Sequence, residues 1–118
     1  VGSEMCIRDS RRADAVKLYR ELAADVRSKE GSAAAYYVLE DTFEKGDMDK
    51  TEKAIFAYSE REPQAYWLAK AFILLGDVYV RKGDNFQARA TYQSVADGYS
   101  PADDGIVDEA KERIAKLN

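Results

Sequence analysis

Apolar residues recur along this chain at helical spacing, and in three places they do so in the same way. Residues 13–26 read ADAVKLYRELAADV, residues 49–62 read DKTEKAIFAYSERE and residues 86–99 read FQARATYQSVADGY. A small residue opens each stripe: Ala15, Thr51 and Ala88, at spacings of 36 and 37. Four positions later stand Tyr19, Ile55 and Tyr92, and three later again Leu22, Tyr58 and Val95. An i, i+4, i+7 stripe is one face of an α-helix, because about 3.6 residues complete a turn. Two further helical stretches lie between, 32–45 (SAAAYYVLEDTFEK) and 64–82 (QAYWLAKAFILLGDVYVRK). Each runs into a Gly-Asp pair, Gly46-Asp47 and Gly83-Asp84, 37 positions apart. Glycine accepts the left-handed backbone that closes a helix, and aspartate accepts the free N–H groups of the next one. Each pair therefore predicts a tight turn between two antiparallel helices. Pro63 and Pro101 fall where a second helix ends or its successor begins, positions that proline favours.

The tail predicts one more helix. Ser100-Pro101-Ala102-Asp103 has the form of a helix start, with Ser as N-cap, Pro at the first position and an acid at the third. Asp103 and Asp104 suit the positive end of a helix. Ile106, Val107, Ala110, Ile114 and Leu117 form an apolar stripe, and Lys111, Arg113 and Lys116 lie towards the negative end. A helix apolar on one side can cover the last hairpin and turn a wet face outward.

This pattern resembles the tetratricopeptide repeat (TPR), whose signature is W-x2-L-G-x2-Y, then A-x3-F, then P. The best unit reads Phe72-x2-Leu75-Gly76-x2-Tyr79, Gly83, Ala88-x3-Tyr92-x2-Val95 and Pro101. The upstream unit is degenerate: it keeps Gly46 and Pro63, with Ala35, Val38, Leu39 and Thr42 in its first helix and Thr51, Ile55 and Tyr58 in its second. The spacing of 37 exceeds the family's period of about 34, which predicts roughly one extra turn leading into the Trp67 helix. Small Gly76 and Ala88 let two helices approach closely, and Leu75, Tyr79 and Tyr92 fill the space around the crossing. Phe72, Phe86, Tyr19, Tyr79 and Tyr92 are assigned to the core on this basis.

The resemblance implies an all-α, right-handed α-solenoid of antiparallel helix hairpins with a C-terminal capping helix. Residues 11–30 would be the second helix of a truncated repeat, 31–63 a degenerate TPR-like unit, 64–101 a TPR unit and 102–118 the capping helix. With its partner missing, the first of these would expose Ala15, Leu18, Tyr19, Leu22 and Val26. Solenoids need about three or more repeats, so the chain is expected to be the C-terminal piece of a longer array. First helices of TPR hairpins line a concave groove. The positions implied to face it are Tyr36, Glu40, Phe43 and Glu44, then Lys70, Ile73, Asp77, Val80 and Arg81. Their mix of aromatic, aliphatic and charged groups suits a protein or peptide partner. The Asn and paired Lys pattern of chaperone-binding TPRs is missing. One rival is a purely structural cap of a longer solenoid; a remoter one is an RNA-binding helical repeat of the pentatricopeptide type. The tail from residue 66 onward is similar to long TPR proteins of bacteria, including cell-envelope ones, which leans the expected localisation towards the periplasm.

Composition narrows the chemistry. A chain of 118 residues, 46% apolar and 34% charged, is one small globular domain's worth. Its 18 bases against 22 acids give a net charge of −4, a poor footprint for nucleic acid or an anionic membrane. No apolar run approaches the ~20 residues a bilayer needs. The absence of His removes the commonest general base and metal ligand. A single Cys, Cys6, allows neither an internal disulfide nor a zinc cluster. The acids fall on helix faces near bases, as Asp49 and Glu52 do beside Lys53, which reads as a solvated surface. Gly83-Asp84-Asn85 lacks the further glycines and lysine of a phosphate cradle, and Asp103-Asp104-Gly105 lacks the remaining ligands of a calcium loop. The expectation is therefore no catalysis, no cofactor and no metal. Val1–Ser10, VGSEMCIRDS, resembles the conceptual translation of a transposase-based sequencing adapter and is set aside from the fold. Cys6 goes with it, and the remainder stays acidic, since the stretch holds one base, Arg8, against Glu4 and Asp9.

Overall fold

A computed structural model of the chain describes residues 14–18, 20, 21, 27–99 and 104–117. Val1–Ser10, Tyr19, Leu22 and Val26 of the first stripe, and the expected helix start at Ser100–Asp103, lie outside the described residues. Among those described, regular structure is entirely helical. Residues 14–18, 20 and 21 are helical, and Leu18 among them is 60% exposed. Five helices follow: α1 (Lys29–Glu44), α2 (Met48–Glu60), α3 (Ala65–Arg81), α4 (Asn85–Gly98) and α5 (Ile106–Lys116).

The turns form as the Gly-Asp pairs predict. Gly46 and Gly83 take φ of 91° and 82°, the left-handed region where a Cβ would be strained. Asp47 then caps α2 by accepting the Lys50 N–H at 3.0 Å, and Asp84 caps α4 by accepting that of Gln87 at 3.1 Å. Pro63, buried, stands just ahead of α3, which begins two turns before Phe72. Two boundaries differ from expectation. α1 starts at Lys29, inside the span assigned to the preceding helix, because the Ser28 hydroxyl caps it by accepting the Gly31 N–H at 2.9 Å. α5 runs from Ile106, with Gly105 at φ 91° just before it, and Asp104 accepts the Ile106 N–H at 3.1 Å.

Each consecutive pair folds back on itself. The Tyr58 hydroxyl near the end of α2 donates to the Ser32 carbonyl near the start of α1 at 2.8 Å, and α3 and α4 pack along their length. α1 also packs on α3, and α3 on α5, whereas α2 and α4 do not pack against each other. Two layers result, with α1, α3 and α5 in one and α2 and α4 in the other. The repeated stripes supply the core between them. Thr51, Ile55 and Tyr58 of α2, and Ala88, Tyr92 and Val95 of α4, are all buried. They meet Ala35 and Leu39 of α1 and Leu75, Val78 and Tyr79 of α3. Ile106 and Ala110 of α5 complete the same cluster. Full burial of a side chain such as Ile55 or Ile106 contributes about 1.5–3 kcal/mol. Phe86 does not belong to this core: it is 85% exposed. At about 100° per residue it lies some 200° from Ala88, on the opposite face of α4.

Candidate binding groove

α1, α3 and α5 lie side by side in one layer, and the sequence-predicted positions on α1 and α3 meet there in two groups. The first forms where the early turns of α1 and α3 touch. Tyr36, Tyr37, Tyr66 and Trp67 make a continuous aromatic cluster, with Trp67 at 5.6 Å from Tyr36, 5.7 Å from Tyr37 and 5.1 Å from Tyr66, centroid to centroid. The Lys70 ammonium lies over three of these rings, 5.6 Å from Tyr36, 5.8 Å from Tyr66 and 6.0 Å from Trp67. Tyr36 is 8% exposed, so it forms the floor of this group rather than its rim. Burial, with Glu40 close by, pushes the Tyr36 hydroxyl well above its ordinary 10.0.

The second group lies two turns further along both helices. Phe43, Asp77, Val80 and Arg81 join Tyr92 and the Arg113, Lys116 and Leu117 side chains of α5 around a cleft of about 350 Å³. The Arg81 guanidinium stacks over the Phe43 ring at 4.6 Å. Val80 is 40% exposed at the mouth. Asp77 is engaged from within. Arg113 Nη1 donates to its two carboxylate oxygens at 2.8 and 2.7 Å, and the Tyr92 hydroxyl donates to Oδ1. Arg113 also donates to Glu109 at 3.2 Å. Burial works against the charge of Arg113, but Asp77 and Glu109 outweigh it and hold the guanidinium above its ordinary value. Burial and the bond to Asp77 push the Tyr92 hydroxyl strongly upward. Three helices are thus tied at one carboxylate.

Of the nine predicted positions, Tyr36 and Ile73 are buried and serve packing, and Asp77 is bound by α4 and α5. Glu40, Phe43 and Lys70 are half-buried along the face, and Glu44, Val80 and Arg81 are exposed. The sequence reading missed the contribution of α5. Its signal was present: Ile106, Ala110, Arg113 and Leu117 are spaced i, i+4, i+7, i+11, which places Arg113 in line with the apolar stripe. It also missed Trp67, the only tryptophan, which organises the first group.

Outside the groove, the acids of α2 are drawn to α3. Lys82 Nζ pairs with Asp49 at 2.6 Å and with Glu52 at 2.9 Å, rather than Lys53 doing so within the helix. That bond lowers the Asp49 pKa. Among the described residues, no group of three or more His, Cys, Asp or Glu could hold a metal ion, and no helix is long and apolar enough to cross a membrane. No known family model, curated protein or solved structure matches the chain.

Proposed function

We propose that the chain is a TPR-like helical-hairpin module that binds a segment of another protein along the inner face of α1, α3 and α5, without catalysis. The observation that carries this reading is the layering. First helices of successive hairpins, and the final helix after them, touch one another on one side, and second helices stay apart on the other. A solenoid of TPR type is built this way, and it leaves the first-helix side concave and open to a partner. The face so formed mixes apolar Phe43, Val80 and Leu117 with charges around them, the composition of a recognition surface. The charge-paired acids elsewhere and the missing histidine support a scaffold rather than an enzyme. A location in the bacterial envelope remains part of the proposal, by resemblance.

A comparative pull-down tests it. Immobilised wild-type chain is compared with Val80→Glu, which puts a charge at the mouth of the cleft, and with Phe86→Ala, which alters the opposite layer. A bound protein should be lost with Val80→Glu and kept with Phe86→Ala. Equal retention by all three would remove the groove as the binding surface. A second reading, a structural cap alone, is favoured by one observation: Asp77 is engaged by Tyr92 and Arg113, so the centre of the face is already used in fastening α5. On that reading no protein is retained by any of the three.

A further inference from the structure

Resting on the groove reading, we infer that the segment it takes carries acidic residues at two points about sixteen ångströms apart, with a neutral or basic stretch between them. The inner face of α3 holds two cations that have no ion pair among the described residues, Lys70 and Arg81. The neighbouring cations of this face are committed: Arg113 to Asp77 and Glu109, Lys116 to Glu112. Lys70 and Arg81 are eleven positions apart, three turns and about 20°, so they share a helix face at a separation of about 16 Å along the axis.

Both are held in place by rings rather than by carboxylates. Lys70 sits over Tyr36, Tyr66 and Trp67, and Arg81 over Phe43. A ring face attracts a cation without cancelling its charge, so each position is ordered and still seeks an anion. The chain is acidic as a whole, with 22 acids to 18 bases, which makes two uncancelled cations on one face stand out against their surroundings.

The stretch between them has the opposite sign. Glu40 lies one turn beyond Tyr36 on α1, close enough to raise the Tyr36 hydroxyl pKa, and Glu109 of α5 acts on the same hydroxyl. Asp77, beneath, is cancelled by Arg113. A uniformly acidic segment would therefore meet repulsion at its middle. The complement is an acidic-ended segment, its two anchors separated by about five residues if extended or about eleven if helical. Apolar side chains beside the anchor at Arg81 would meet Phe43, Val80 and Leu117.

Selection from a randomised peptide library displayed on phage, against the full chain, tests this. Lys70→Glu/Arg81→Glu is screened in parallel, after circular dichroism shows its helix content unchanged. The expected peptides carry two Asp or Glu at one of those separations, with neutral or basic residues between. They lose at least about tenfold in affinity for the double variant, the range of a charge-assisted bond. Selection on the variant should favour bases at the same positions. Peptides without acidic enrichment, or the same peptides on both proteins, would overturn this inference and leave the groove standing. No enriched peptide at all would remove the groove reading and this one with it. Dimers that form through this face and are abolished by the double variant would assign it to a second copy of the chain and overturn the acidic partner.

Discussion

Gly76 is the residue on which the α3–α4 crossing turns. A Cβ added there would collide with one edge of the Tyr92 ring, 2.6 Å from Cδ1 and 2.7 Å from Cζ, with Cε1 closer still. Tyr92 cannot swing aside, because it is 1% exposed and its hydroxyl is bound to Asp77. Alanine in place of glycine inside a helix normally gains about 1 kcal/mol. Here overpacking costs about 1–3 kcal/mol, so Gly76→Ala should destabilise on balance, by about 1 kcal/mol. Denaturant unfolding measures it, and Tyr92→Leu supplies the check. In Gly76→Ala/Tyr92→Leu the loss should be smaller than the sum of the two single losses. Additive losses would mean that the ring and the glycine do not interact. Thr51 and Ala88 are legible in the sequence because a small residue recurs there at a spacing of 37. The Tyr92 hydroxyl is not. Its partner Asp77 lies 15 positions away, and Arg113 reaches that carboxylate from 36 positions away, so only the folded chain brings them together. Aromatic character alone puts Phe86 in the core, but its angle from Ala88 turns it to solvent.

Helix boundaries depend on local chemistry, and the caps can be tested one by one. Asp47 and Asp84 each satisfy one free N–H at a helix start. Replacing either by Ala should cost about 1 kcal/mol, and replacement by Ser or Asn much less. Asp84 also accepts from the Gln87 side-chain amide at 2.7 Å, so Asp84→Ala should cost slightly more than Asp47→Ala. Chemical denaturation midpoints of these variants report this. Equal stability of Asp84→Ala and wild type would show that the bond contributes nothing. The Gly-Asp turns were readable because the glycine and the aspartate act on adjacent backbone groups. The apolar pattern opens α1 at Ser32, but the cap is Ser28, and Ser32 instead accepts the Gln64 N–H at 3.0 Å through its hydroxyl. α5 begins behind a left-handed Gly105, whose effect on the helix start no capping motif in the sequence announces.

At the scale of the molecule, the alternation of hairpins was legible and the openness of the inner face was only half so. Ile73 and Val80 stand seven positions apart on one face of α3, yet Ile73 is buried and Val80 is exposed, because Val80 lies in the last turn at the mouth of the cleft. The same burial makes the whole fold sensitive to alkali. Tyr36, Tyr58 and Tyr92 join α1 to α3, α2 to α1, and α4 to α3 and α5. Burial pushes Tyr58 up to about 12 from 10.0, and Tyr36 and Tyr92 are also raised, chiefly by burial. Above pH 10.0 the unfolded chain releases these protons while the folded chain keeps them. Their contribution is therefore complete below 10.0 and is lost as the pH climbs towards 12. The thermal midpoint should stay level between about pH 7 and 9 and fall steeply beyond 10. Tyrosinate absorbance from these rings should rise together with the loss of helix. Tyr58→Phe should make the decline shallower, since one of the three protons then drops out of the balance. Ionisation of all the tyrosines near 10 with the helical signal intact would show that the layers do not enclose them.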